Sequence, residues 1–244
     1  MPCPGRTARP ADRQGRSGRR TCGLRPGSPA ERRRGDLSAP ARIAVLLSGR
    51  GSNFLALASA IAEGTVPAQI VLVLSNVDGA PGIDRARELG LPTIVVPSRG
   101  LSRVEHEARV REAVAAARAD WVCLAGYMRL LSADFVEAFP SRILNIHPSL
   151  LPSFPGLHPQ RQALAAGVRI SGCTVHLVDA GLDSGPIVWQ RWVPVLDGDD
   201  EAALAARILV EEHLAYPEAL AALLTRPWRI EGRRVVFENP PAGA

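Results

Sequence analysis

The sequence predicts an α/β fold: an open, mostly parallel sheet with flanking helices, completed in its C-terminal part by antiparallel strands. Three observations predict it. Short apolar runs alternate with helix-length segments between residues 42 and 146, the pattern of βαβ crossovers. The first run exits into a glycine-rich turn that opens a helix. Beyond residue 169, two longer strand-like segments follow one another with only a turn between them.

Taken in order, the apolar run at 43–47 ends in Ser48-Gly49-Arg50-Gly51-Ser52-Asn53, and an Ala/Leu-rich helix follows that stops at Gly64. Residues 70–74 form a second strand, a helix around 84–89 precedes Gly90, and 93–96 form a third strand. Ser102 and Glu105 make a capping box for a helix that runs to about Arg118. A fourth strand at 121–125, a short helix at 133–138 and a fifth strand at 142–146 come next. The chain is irregular from Pro148 to Pro159 and then gives a short helix. Strands at 170–178 and 186–194, a helix from about Glu201 to Leu223, and a hairpin-like pair at 228–230 and 234–237 close it.

A chain of 244 residues, 46% hydrophobic and 22% charged, suffices for one sizeable domain and not for two large ones. No apolar run approaches the length of about 18 residues that spans a bilayer, so a soluble, cytoplasmic protein is expected, with no membrane partner. The net charge of +5 invites a nucleic-acid partner until the charges are located. Residues 1–40 hold ten Arg against Asp12, Glu31 and Asp36, or +7; the remainder carries nineteen Arg and twenty-one acids, or −2. The basic character therefore belongs to the tail, and the body is mildly acidic. There is no Lys, a bias better explained by base composition than by phosphate binding.

Residues 1–40, rich in Arg, Pro, Gly and Ser, lack apolar periodicity and cannot offset their ordering entropy by burial. They are read as a disordered tail, or as the product of a start codon set too early, with one domain over 41–244. Cys3 and Cys22 lie in the tail, and Cys123 and Cys173 in strand-like stretches; no CxxC pair occurs, so neither a zinc site nor a disulfide framework is expected.

Three constellations carry candidate chemistry. The turn at Ser48–Asn53 sits where an open parallel sheet binds ligands: its glycines let backbone approach a phosphate, and free N–H groups at the helix start donate to it. An ordinary tight βα turn would look the same. Asn145 and His147 lie two apart on an extended segment, so their side chains share a side. An amide beside a protonated imidazole serves a developing oxyanion, although an isolated NxH is more often structural. In Asp179-Ala180-Gly181-Leu182-Asp183-Ser184-Gly185, Asp and Gly are usual turn formers, while Asp183 could also hold His147 charged. His176, on the preceding strand, is as readily a half-buried strand histidine as a functional one.

Together these strings match one family in order and wording. Residues 42 to about 240 resemble the folate-dependent glycinamide ribonucleotide transformylases (phosphoribosylglycinamide formyltransferases of the bacterial type). The resemblance rests on SGRGSN at 48–53, LAGYMRLLS at 124–132, LNIHPSLLPSFPGLH at 144–158, VHLVDAGLDSGPI at 175–187 and EEHLAYP at 211–217. It implies a formyltransferase, Rossmann-like fold and transfer of a formyl group from 10-formyltetrahydrofolate to the amine of glycinamide ribonucleotide in purine synthesis. It further implies small-molecule substrates, no nucleic acid, no metal, and a monomer or homodimer. By the resemblance Asn145, His147 and Asp183 match the catalytic triad; Gly51, Ser52 and Asn53 match the phosphate loop; and Glu212 matches the acid that meets the glycinamide portion. Arg103, Met128, Arg129, Leu130 and Leu131, with Asn145 and the loop Asp179, Ala180, Gly181, Leu182 and Asp183, match folate-contacting positions. The Arg-rich tail departs from the family pattern.

The nearest alternative is a formyltetrahydrofolate hydrolase (deformylase), which resembles this family's core but carries an N-terminal regulatory domain and lacks the GRGSN loop. A methionyl-tRNA formyltransferase needs a further C-terminal barrel and a basic surface. A nucleic-acid-binding protein built on the Arg-rich tail is opposed by an intact set of triad residues.

Overall fold

The run Ile43-Ala44-Val45-Leu46-Leu47 is fully buried, each residue at 0% exposure, because helices cover both faces of the strand that holds it. In the computed structural model, which describes residues 39–238, this strand is β1 (Ala41–Leu47). The Arg-rich tail, with Cys3 and Cys22, lies outside the described residues. The remaining elements are α1 (Ser52–Ala62), β2 (Ala68–Ser75), α2 (Pro81–Glu88), β3 (Thr93–Val95), α3 (Arg103–Ala116), β4 (Trp121–Leu124), α4 (Ala133–Glu137) and β5 (Ile143–His147). They are followed by α5 (Pro159–Ala165), β6 (Ile170–Leu177), β7 (Ile187–Pro194), α6 (Glu201–Thr225), β8 (Trp228–Glu231) and β9 (Arg234–Phe237).

One nine-stranded sheet runs in the order β3-β2-β1-β4-β5-β6-β7-β9-β8. The first five strands in that order are mutually parallel, and β5–β6 and β6–β7 are antiparallel. The expected parallel sheet with a later antiparallel part is therefore what forms. The winding from β1 proceeds outward to β3 and then returns to β4 on the other side of β1. Such a reversal opens a crevice at the carboxyl ends of β1 and β4, where the glycine turn after β1 and the segment after β4 emerge.

Alternation along β1 builds two cores. Ile43, Val45 and Leu47 join Phe54 and Leu57 of α1 and Ile208, Tyr216 and Leu220 of α6 on one face. Ala44 and Leu46 join Val110 and Val114 of α3 and Phe135 of α4 on the other. Ser102 and Glu105 form the expected capping box at the start of α3. Two boundaries differ from the sequence reading in ways that matter. The helix read at 84–89 starts at Pro81, whose fixed φ and missing N–H suit a first helical position. The fifth strand shifts by one residue and runs through His147, which places that ring inside the sheet framework rather than on a loop.

Cys123 and Cys173 are buried and unpaired, and desolvation pushes both thiols up to about 12. No helix among the described residues is long and apolar enough to cross a membrane.

Tyr216 ties α6 to the sheet. Its buried hydroxyl stands 3.0 Å from the carbonyls of both Leu124 and Leu144, the strands on either side of the β4–β5 seam. One hydroxyl proton serves two acceptors. Tyr216→Phe is expected to lower stability by about 1–3 kcal/mol, the cost of leaving buried carbonyls short of a donor, read from urea unfolding. A change below about 0.5 kcal/mol would contradict this role.

Candidate active site

The glycine-rich turn owes its shape to two glycines that touch. Gly51 precedes α1 at φ 73°, and a Cβ there would lie 3.1 Å from the Cα of Gly82 and 3.2 Å from Leu47 Cδ2. Gly82, in the first turn of α2, donates its N–H to Gly49 O at 3.0 Å, and a Cβ there would meet Leu47 Cδ2 at 2.9 Å. Only glycine accepts both the left-handed backbone and the approach. With no side chain at the N-cap and no acid in its first turn, α1 presents its leading N–H groups unclaimed. They line a cleft of about 290 Å³ bounded by the Ser48–Asn53 turn, Ala125, Gly126, Met128, Leu209 and Glu212.

Glu212 closes this cleft from α6. Its side chain is buried, and its Oε2 accepts from Asn53 Nδ2 at 2.7 Å. Burial raises its pKa above the ordinary 4.5, with the Asn53 hydrogen bond opposing. The other end of that amide, Asn53 Oδ1, is buried without a partner among the described residues. The Gly51–Asn53 turn and Glu212, widely separated in sequence, thus meet in one place.

Ser48 joins this cleft to the segment after β4. Its hydroxyl accepts the N–H of Met128 at 2.8 Å and donates to Asn76 Oδ1 at 2.5 Å. Asn76 is itself held by Ser98. Met128 and Leu130 stand exposed beyond it, at 72% and 62%. Arg103 reaches the same segment through Glu107. Its Nε pairs with Glu107 Oε1 at 3.1 Å, and the Glu107 carboxylate also takes the N–H and hydroxyl of Ser132. Arg129 lies close enough to His106 and Tyr127 to act on both electrostatically. Asn76 and Glu107 were not singled out in the sequence, and Ser48 only as part of its turn, since the polar partners that each meets lie far along the chain.

The second cluster forms where the sheet changes sense. Antiparallel pairing sets Asn145 opposite His176 and His147 opposite Thr174. A register shift in the β6–β7 pairing at Val175/His176 breaks the ladder beside that ring, a device that commonly re-aims a side chain. His176 Nδ1 donates to Leu177 O at 3.0 Å, and burial lowers the ring's pKa, so it is neutral with a lone pair on Nε2. That lone pair accepts from Asn145 Nδ2 at 3.1 Å, which fixes which end of the Asn145 amide is nitrogen and leaves its second hydrogen available. Although His176 Nε2 stands 3.7 Å from Asp183 Oδ1, a neutral ring makes this a polar contact and not an ion pair.

His147 is held on both edges. Its Nε2 donates to Phe154 O at 2.9 Å, and its Nδ1 faces Asp183 Oδ2 at 3.4 Å. Both nitrogens therefore face acceptors, and a ring carrying two protons satisfies both. The loop supplying Phe154 is pinned to the sheet: Leu151 N–H donates to Thr174 Oγ1, whose own proton goes to Ser149 O. Asp183, at φ 49°, takes the N–H of Gly156 at 2.8 Å and so joins its loop to this one. Asp179 acts within its own turn, accepting from Gly181 N–H and Ser184 Oγ. Ala180, Gly181 and Leu182 are exposed on that loop. No hydrogen bond among the described residues joins Arg103 to it.

A sequence profile described as formyl transferase matches residues 41–220. The chain is 50% identical over 185 residues to the trifunctional purine biosynthetic protein adenosine-3 of Drosophila pseudoobscura pseudoobscura, which spans 75% of this chain and only 14% of that larger protein. It is 45% identical over 204 residues to phosphoribosylglycinamide formyltransferase of Mycobacterium tuberculosis, across 80% of this chain and 91% of that one. Among solved structures, glycinamide ribonucleotide transformylase 1 from Symbiobacterium toebii matches at TM-score 0.80 and 46% identity, covering 87% of this chain and 100% of that one. A formyltetrahydrofolate deformylase from Pseudomonas syringae matches at TM-score 0.77 with 26% identity, and 67% of it is covered.

The buried Glu212 carboxyl gives a pH signature. Because its folded pKa is raised, the folded state holds that proton more tightly than the unfolded chain. Its contribution to stability is full below the ordinary 4.5 and is lost as pH climbs through the raised value. Glu212→Gln is expected to remove this decline, leaving the variant more stable than the parent at neutral pH and no more stable in acid. Thermal unfolding across pH checks it; parallel curves for the two proteins would show that the carboxyl is not the source.

Proposed function

The chain belongs to the formyl transferase family, and on that premise we propose that it transfers the formyl group of 10-formyltetrahydrofolate to the amine of glycinamide ribonucleotide, the formylation step of purine synthesis. One observation carries this reading: an amide, an imidazole and a carboxylate, from Asn145, His147 and Asp183, converge at the carboxyl end of the central strand β5, beside a crevice that is a backbone anion cradle.

The chemistry follows from what each group can do. The neutral amine attacks the formyl carbon, and the carbonyl electrons move to oxygen. Asn145 supplies the second hydrogen of its amide to that oxyanion, its orientation set by neutral His176. His147, with a proton on Nδ1, supplies that N–H to the oxyanion; its contact with Asp183, at 3.4 Å, is longer than an ordinary N–H···O bond. As the oxyanion re-forms the carbonyl, the bond to the folate nitrogen breaks, and Asp183, through a water, passes the proton released by the amine to that leaving nitrogen. The exposed Met128–Leu131 segment, Arg103 and the Asp179–Asp183 loop hold the folate. Gly51, Ser52 and Asn53 hold the nucleotide phosphate, and Glu212 meets the glycinamide portion.

Removing one preorganised oxyanion donor costs roughly a hundred- to a thousandfold in rate. Asn145→Ala and His147→Ala are each expected to lose at least that in kcat, followed by the absorbance of the released folate. Ser52→Ala and Asn53→Ala, remote from the reacting carbon, are expected to raise KM for the ribonucleotide instead. Near-parental kcat in either triad variant would overturn the assigned roles.

A further inference from the structure

The cleft beside the glycine turn contains an unused cation. Of the described residues that line it, Arg50 and Glu212 alone carry charge. The wall contributed by α6 is Leu209 and Glu212, an apolar side chain and an acid, so that wall offers an anion neither a donor nor a counter-charge. The Glu212 carboxyl is moreover buried and tied to Asn53. Arg50, by contrast, is exposed and makes no hydrogen bond or ion pair among the described residues.

Two further features of the cleft point to a ligand that is not protein. Asn53 Oδ1 is buried there with no partner, on a residue only 8% exposed. The first turn of α1 carries no acid, and its N-cap no side chain, that would consume the leading N–H groups. A helix end supplies about half a positive charge, which leaves a phosphate dianion well short of neutralisation. A guanidinium forks onto phosphate oxygens in a way that backbone N–H groups at a helix end do not reproduce.

We propose that Arg50 folds over the cradle as the one side-chain counter-charge to the phosphate of the acceptor, and that this residue sets the preference for a phosphorylated over a dephosphorylated acceptor. The inference rests on the functional reading for the identity of the acceptor, and on the cleft alone for its chemistry, a phosphomonoester dianion. The apolar Leu209 wall opposite lowers the local dielectric and strengthens the pairing. Since the phosphate loses its second charge near pH 6, the advantage Arg50 confers shrinks below about that pH.

The test compares the full-length parent, Arg50→Ala and Arg50→Lys in two measurements. Calorimetric titration with ribose 5-phosphate, and with ribose as control, reads the cradle without any chemistry. Binding is expected to weaken roughly ten- to a hundredfold in Arg50→Ala, to recover largely in Arg50→Lys, and to lose its steep salt dependence in the alanine variant. Equal ribose 5-phosphate affinities for parent and Arg50→Ala would overturn the proposal. Formyl transfer to glycinamide ribonucleotide and to its dephosphorylated nucleoside supplies the second reading. Arg50→Ala is expected to raise KM for the ribonucleotide by the same factor while kcat and KM for the nucleoside hold. A loss shared equally by both acceptors, or confined to kcat, would assign Arg50 some other role. If the parent binds ribose 5-phosphate through Arg50 yet transfers no formyl group to the ribonucleotide, the functional reading fails and the Arg50 assignment stands. Because the side chain is exposed, neither substitution is expected to disturb folding.

Discussion

The antiparallel pairing of β5 with β6 is the constraint on which the site depends. A parallel neighbour in place of β6 would have set different residues across from Asn145 and His147. The change of sense sets His176 beside Asn145 and Thr174 beside His147. From those two pairings the rest follows. Thr174 anchors the loop whose Phe154 carbonyl holds one edge of His147, and His176 orients the Asn145 amide. The loop after β6 then folds back so that Asp183 reaches the other edge, and its grip on Gly156 locks the two loops together. Slipping this register by one residue would point Asn145 and His147 to the opposite face and dissolve the cluster at once.

Charge is distributed around the two halves of the crevice with a consistent logic. Groups that must orient others are kept neutral by burial, as His176 is, or protonated more readily, as Glu212 is. The groups proposed to meet charge differ in exposure: the His147–Asp183 pair is largely buried, its side chains 8% and 12% exposed, whereas Arg50 beside the leading N–H groups of α1 is exposed. Ser48 bridges the halves mechanically, since its single hydroxyl holds the backbone after β4 against the turn after β1. Substrates seated in the two halves therefore rest on one hydrogen-bonded frame.

Much of the fold was legible because it is local. Alternating apolar runs, the Ser102–Glu105 box and the stop at Gly64 each need only neighbours in sequence to be read, and each reappears in the structure. The second helix starts at Pro81, three residues ahead of the segment read from the sequence, because proline suits a first helical position. The site was legible only in part. Residue spacing could place Asn145 and His147 on one side of a strand, but it could not bring Asp183 to them; family resemblance suggested that meeting. His176 stayed ambiguous because a buried strand histidine and an orienting one show the same alternation, and only its partners at 3.1 Å and 3.0 Å separate them. Asn76, the Phe154 carbonyl and the Gly51–Gly82 contact were invisible for a common reason: each acts through backbone or through a partner far along the chain.

On the proposed function, formyl transfer in the crevice requires an amine held by its phosphate, and water is not an adequate substitute. The most direct measurement is the rate of tetrahydrofolate release from 10-formyltetrahydrofolate with and without glycinamide ribonucleotide. Release that depends on the ribonucleotide and matches the formylated product mole for mole is the predicted result. Release at an undiminished rate in its absence would make the protein a hydrolase and contradict the account.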